Sequence, residues 1–160
     1  MCIRDRADSH KGVTDVSKTW EKKELEPYRQ LIKEGICDMI MTAHVFNEQL
    51  DTLYPATLSK KVMTDLLRND LGYKGLIISD DMQMKAISMQ YGFETAVEKA
   101  INAGVDIMIF SNNIPSIYEP DVVPSAIKTI RKLVEQGKIS RERIQESYDR
   151  IMTLKGKFRQ

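Results

Sequence analysis

Two carboxylates stand side by side where an apolar run ends: Leu76, Ile77, Ile78 and Ser79 lead into Asp80 and Asp81. A carboxylate at the tip of a buried strand can act as a nucleophile, and it can equally cap the next helix. Adjacent side chains on a strand point to opposite faces, so these two acids should not face one substrate together. One can aim at a site while the other turns into the loop or caps "MQMKAISMQYG". Any catalytic partner should then come from another loop. A second acid-bearing place is Asp8 with His10. In extended chain, residues i and i+2 share a face. The carboxylate can bond one imidazole nitrogen, set the tautomer and leave the other nitrogen as acid or base. His44 ends "MIMTAH", where it can touch a ligand or only bond backbone.

Other chemistries find little support. There is no His-x-x-x-His, no cysteine cluster and no comb of carboxylates, so no metal is expected. The eight glycines are scattered and form no phosphate loop. No cofactor is expected. Cys37 precedes its strand instead of following it, which argues against a cysteine nucleophile, and it is expected in the core. Met82, Met84 and Met89 are expected in the core or in a pocket wall.

The elements that must position these groups follow one plan: helix, glycine, short apolar strand, polar tip. "SKTWEKKELEPYRQLIKEG" offers Ser17 or Thr19 as N-cap and a stripe of Leu25, Tyr28, Leu31 and Ile32, and stops at Gly35 before "DMIMTAH". "LSKKVMTDLLRNDLG" repeats the design with Ser59 as cap, a stripe of Val62, Met63, Leu66 and Leu67, and Gly72 before "GLIIS". "FETAVEKAINAG" ends at Gly104 before "VDIMIFS". Continuous apolar strands between helices imply a parallel sheet in an α/β fold. "NNIPSIYEPDVVP" is expected as a loop. The tail is helical, with Ala126, Ile127, Ile130, Leu133 and Val134 on one face. Ile144, Tyr148, Ile151 and Leu154 form the stripe of the last helix, which Ser140 caps. A doubly wound sheet and a (β/α)8 barrel both fit. Either puts function at the carboxyl ends of the strands, which directs attention to His44, Asp80, Asp81, Ser111, Asn112 and Asn113.

Bulk composition bounds the rest. With 160 residues, one domain is expected. Lys plus Arg is 24 and Asp plus Glu is 23, a net charge of +1. That balance gives no electrostatic reason to expect nucleic acid or an anionic membrane as partner. No apolar run approaches the roughly 20 residues of a membrane span. Two cysteines do not make a disulfide framework. "MCIRDR" has neither apolar patterning nor periodicity, and residues 1–6 are expected to be a non-native leader. The compartment, cytoplasmic or periplasmic and secreted, is left open.

"ADSHKG", "DMIMTAHV", "YPATLS", "LGYKGLIISDDMQM" and "AINAGVDIMIFSNN", in that order, resemble the family 3 glycoside hydrolases in their β-N-acetylhexosaminidase branch. The likeness runs from about residue 7 to residue 158. It implies a (β/α)8 barrel and retaining hydrolysis of terminal N-acetylhexosamine from a small carbohydrate substrate. By resemblance Asp80 is the nucleophile, His10 the general acid/base and Asp8 the group that orients His10. His44 matches a histidine at the barrel mouth near the substrate, and Met84 a wall position of the sugar pocket. The family's "KHFPGHG"-like stretch before the Asp-x-His pair has no counterpart here; "MCIRDR" stands in its place. Residues 7–160 are therefore expected to be the C-terminal part, about half, of the barrel. The missing N-terminal half would be its partner. Such a fragment should be weak or inactive alone. Competing readings are a β-glucosidase-like or other family 3 hydrolase, and a non-catalytic carbohydrate-binding fragment.

Overall fold

A computed structural model describes residues 14–113 and 118–158. Asp8, His10 and the whole of residues 1–6 lie outside the described residues.

Among the described residues, five short strands form two parallel sheets. β2 (Met39–Met41), β4 (Leu76–Asp81) and β5 (Ile107–Ile109) lie in the order β2-β4-β5, with β4 central. β1 (Thr14–Asp15) pairs with β3 (Val45–Phe46). The three expected strands are therefore present, adjacent and parallel. The segment from Met39 to Phe46 serves both sheets: it starts beside β4 and ends beside β1. The crossing, Thr42 to His44, is where a site residue was expected.

Helices fill the connections: α1 (Glu26–Lys33), a π-helix (Lys61–Asp70), α2 (Lys85–Tyr91), α3 (Phe93–Ala103), α4 (Val122–Glu135) and α5 (Arg141–Lys157). Gly104 shows how a helix is handed to a strand. Its φ of 123° suits a residue without Cβ, its N–H bonds the Ile101 carbonyl, and the Val105 N–H reaches back to Ala100. The chain then enters β5 at once.

The core lies between the helices and one face of the sheet. Ile77 is fully buried there with Ile87, Ala100, Val105, Leu67 and Tyr73, and Ile40 packs against them. The other face is open at its edge strand, while Leu76 on the central strand is buried. Met39 and Met41 are 50% and 62% exposed, and their register partners on β4 are Leu76 and Ile78. Ile78 in turn pairs with Ile107, so an apolar strip crosses the sheet on the face opposite the helices.

Five local expectations need correction. Met89, expected in the core or a pocket wall, is 79% exposed. α1 begins at Glu26, after a 3-10 turn (Lys22–Leu25) with a Glu21/Glu24 capping box, so neither Ser17 nor Thr19 caps it. Ser17 instead closes a turn on Asp15 Oδ1 and accepts the Glu48 N–H. Tyr28 and Leu31 are 41% and 42% exposed, so only Ile32 of that stripe reaches the core. Ile127 of α4 is exposed, while Val122, Ala126 and Leu133 are buried. α5 buries no apolar residue, and its inward spacing is polar: Arg143, Ser147 and Arg150 all reach Asp106. Ser140 does cap α5, accepting the Arg143 N–H.

Candidate active site

Asp80 and Asp81 occupy the carboxyl tip of the central strand. The register of β4 against β5 shifts between Ile78 and Asp81, so their partners, more than strict alternation, distinguish the two acids. The structure separates their duties. Asp81 Oδ1 accepts the Gln83 N–H (3.0 Å) and the Ser111 N–H (3.1 Å), and Asp81 Oδ2 accepts the Ser111 hydroxyl. It thereby ties the tip of β4 to the tip of β5. Asp80 Oδ1 accepts one N–H among the described residues, that of Asp81 at 2.8 Å. A second tie crosses between the same loops. The Asn112 N–H donates to Gln83 Oε1 at 2.7 Å, and Asn112 sits at φ 50°, an uncommon conformation for a side-chain-bearing residue. Its side chain is held on both sides by the Glu119 backbone.

His44 is completely buried. Its Nε2 lies 2.9 Å from the Asp81 carbonyl oxygen and its Nδ1 lies 2.9 Å from Thr57 Oγ1. Both ring nitrogens are thus occupied by protein groups. Burial pushes the imidazole below its ordinary pKa, against the opposing pull of the Asp81 carbonyl and the Asp80 and Asp81 charges. Thr57, fully buried, comes from a 3-10 turn (Ala56–Leu58) whose loop is anchored by Asp51. Asp51 accepts the Ser59 hydroxyl at 2.6 Å and the backbone N–H groups of Leu53 and Tyr54. Burial would raise the Asp51 carboxyl, but these bonds outweigh it and hold the pKa below the ordinary value. Ser59 also accepts the Val62 N–H at the start of the π-helix, the capping task expected of it.

Met84 lies one turn beyond the acids and is 6% exposed. Its N–H donates to the Asp81 carbonyl, and its own carbonyl accepts the Ile87 and Ser88 N–H groups that open α2. Asp80, Asp81, His44 and Met84 are therefore brought to one end of the sheet, together with Ser111 and Asn112. The roles of Thr57, Gln83 and Asp51 were not anticipated. Nothing in the sequence pairs Thr57 with His44 across 13 residues. Among the described residues no three or more His, Cys, Asp or Glu side chains converge as metal ligands would.

The arrangement gives an acid with spare acceptor capacity near the tip of the central strand. Its neighbours are spent on holding the backbone still. That suits a nucleophile better than a structural cap. The model of the "Glycosyl hydrolase family 3 N terminal domain" matches residues 4–154. The chain belongs to glycosyl hydrolase family 3. Its relatives within that family include Beta-hexosaminidase A of Pseudoalteromonas piscicida, 32% identical over 96% of this chain and 28% of the relative. The Beta-hexosaminidase of Tolumonas auensis is 38% identical over 68% of the chain and 33% of the relative. Among solved structures, CbsA from Thermotoga neapolitana superposes with a TM-score of 0.82 at 33% identity, covering 93% of this chain and 33% of CbsA. A family 3 β-N-acetylglucosaminidase from Paenibacillus superposes with a TM-score of 0.81 at 34% identity, over 94% of this chain and 28% of that one. The chain thus spans about a third or less of the length of these family 3 relatives.

Proposed function

We propose that this chain carries the nucleophile end of a retaining β-N-acetylhexosaminidase. Asp80 attacks the anomeric carbon of a terminal N-acetylhexosamine and forms a covalent glycosyl-enzyme, which water then hydrolyses. His10, oriented by Asp8, protonates the leaving oxygen and later takes a proton from the water. The observation that carries this reading is the division of labour at the tip of β4. Asp81 spends its carboxylate on Gln83 and Ser111, and Asp80 accepts only its neighbour's N–H among the described residues. Two adjacent acids with such different surroundings suit one supporting and one reacting group. The hexosaminidase names among the relatives support the choice of sugar.

In this reading the strands belong to a (β/α)8 barrel, with residues 7–160 in its catalytic domain. Met39, Met41 and Ile78 then face the barrel axis, and the other barrel strands cover them. Met84 lies behind the pocket wall, and His44 enters as a support instead of a ligand contact, because both its nitrogens hold protein groups. The chain alone should hydrolyse 4-nitrophenyl N-acetyl-β-glucosaminide only weakly, and Asp80→Asn should abolish what remains. His10→Ala should lower it as well. Activity that survives His10→Ala would favour a β-glucosidase-like family 3 hydrolase, whose acid lies elsewhere. Turnover that survives Asp80→Asn would overturn the assignment.

A further inference from the structure

His44 is built into the site more firmly than a ligand contact needs to be. A carbonyl oxygen can only accept, so the 2.9 Å contact to the Asp81 oxygen requires a proton on Nε2. In the neutral ring Nδ1 is then bare, and the Thr57 hydroxyl must donate to it. The Thr57 oxygen stays available to the Thr42 hydroxyl at 2.7 Å, which fixes the rotor from behind. The Ala43 carbonyl, 3.1 Å from Thr57 Oγ1, is the alternative acceptor if the ring gains a second proton. The chain of partners runs Thr42, Thr57, His44, Asp81, and it ends on the residue whose N–H Asp80 accepts.

We propose that His44, set in one tautomer by Thr57, is a positioning residue for Asp80. It acts by holding the carbonyl of Asp81 while Gln83 and Ser111 hold the carboxylate of the same residue. Gripped at both groups, Asp81 keeps its N–H aimed at Asp80 Oδ1, and Asp80 stays at the strand tip. This rests on the nucleophile role proposed for Asp80. An angstrom of misplacement can cost on the order of a hundredfold in rate, so a partial release should cost roughly tenfold.

The test uses the full chain and two variants of nearly equal shape, Thr57→Val and Thr57→Ser. Imidazole 15N spectra of the wild type should show His44 protonated at Nε2 and bare at Nδ1. Residue-resolved amide hydrogen exchange should show Asp81 exchanging about tenfold faster in Thr57→Val, with the Leu133 and Ile87 amides unchanged, and wild-type behaviour in Thr57→Ser. An Nδ1-protonated ring, an unchanged Asp81 amide, or core amides accelerated equally would overturn the proposal. A second arm measures covalent labelling by a 5-fluoro N-acetylglucosaminyl fluoride, whose leaving group needs little acid assistance. Labelling about tenfold slower in Thr57→Val, at an unchanged half-saturating concentration, and restored in Thr57→Ser, supports the proposal. Equal labelling rates in wild type and Thr57→Val overturn it. A wild type that takes no label, while Thr57→Val shows the expected faster Asp81 exchange, refutes the nucleophile reading instead, and leaves the grip on Asp81 to be judged by exchange alone.

Discussion

The two ends of the parallel sheet each hold a carboxylate and treat it in opposite ways. At the amino end, Asp106 precedes β5 with a side chain that is 0% exposed. It receives Arg68 at 2.7 Å, Arg150 at 3.0 Å, Arg143 at 3.3 Å, the Ser147 hydroxyl at 2.7 Å and the Ile77 N–H at 3.0 Å. At the carboxyl end, Asp80 accepts one backbone N–H among the described residues. One acid is saturated with donors and locks the last helix to the sheet. The other is held in place with its oxygens largely unspent. Burial would raise the Asp106 carboxyl, but the Ile77 N–H, Ser147, Arg68 and Arg150 more than offset that and keep it below the ordinary range. Under the proposed function the difference separates a carboxylate that stabilises from one that is kept for chemistry, the division expected between the two ends of a (β/α)8 barrel.

Removing each acid should expose that contrast most strongly. Asp106→Ala leaves clustered guanidinium groups uncompensated and should cost about 3–5 kcal/mol in urea denaturation. Asp80→Asn should change stability by no more than about 0.5 kcal/mol. Comparable losses at the two sites would break the comparison. If Asp106→Ala does not fold, Asp106→Asn, which keeps the shape, should still show a clear loss.

Acid should take the two ends apart in sequence. His44 has a folded pKa below its unfolded value, so its contribution is intact above about pH 6.5 and is lost as pH falls toward the folded value. Asp106 is also depressed, so its contribution is intact above about pH 4 and is lost as pH falls through its folded value. The urea midpoint should therefore decline in two stages, the site end first. His44→Gln should remove the upper stage, and a midpoint flat from pH 7 to 5 would contradict the His44 assignment.

Two smaller changes sharpen the view of the amino end. A Cβ on Gly75 would come within 2.5 Å of Tyr73 Oη and 2.6 Å of the Asp38 carbonyl oxygen, so Gly75→Ala should cost about 1–3 kcal/mol. Ser140→Ala removes the N-cap of α5, the helix that delivers Arg143, Ser147 and Arg150, and should cost about 1 kcal/mol. Both should shift the denaturation midpoint, and neither should alter labelling of Asp80.

Much of this was legible in the sequence because it depends on local pattern. The glycine-stopped helices and apolar strands pointed to parallel strands, which the structure has as β2, β4 and β5, with the two acids at the tip of β4 as expected. Asp80 and Asp81 take different partners, as two neighbouring strand residues were expected to, while a register shift against β5 interrupts the strict two-residue period there. Other features depend on contacts far apart in the chain. The clamp joins Arg68 and Arg150 to Asp106 across 38 and 44 residues, and it turns the inward face of α5 polar against its apolar stripe. A lone carboxylate opening the apolar run "VDIMIF" was the one local hint of it. Thr57 gave no hint, because a threonine in a loop is ordinary until a buried histidine meets it.

The central claim is that Asp80 is the nucleophile. The most direct measurement is the peptide mass map of the chain after prolonged incubation with the 5-fluoro N-acetylglucosaminyl fluoride. One attack per molecule is enough, so even a slow chain can report. The account predicts a glycosyl adduct on the peptide containing Asp80, absent in Asp80→Asn. An adduct on any other carboxylate, or an unlabelled chain with its His44 bonds intact, would contradict it.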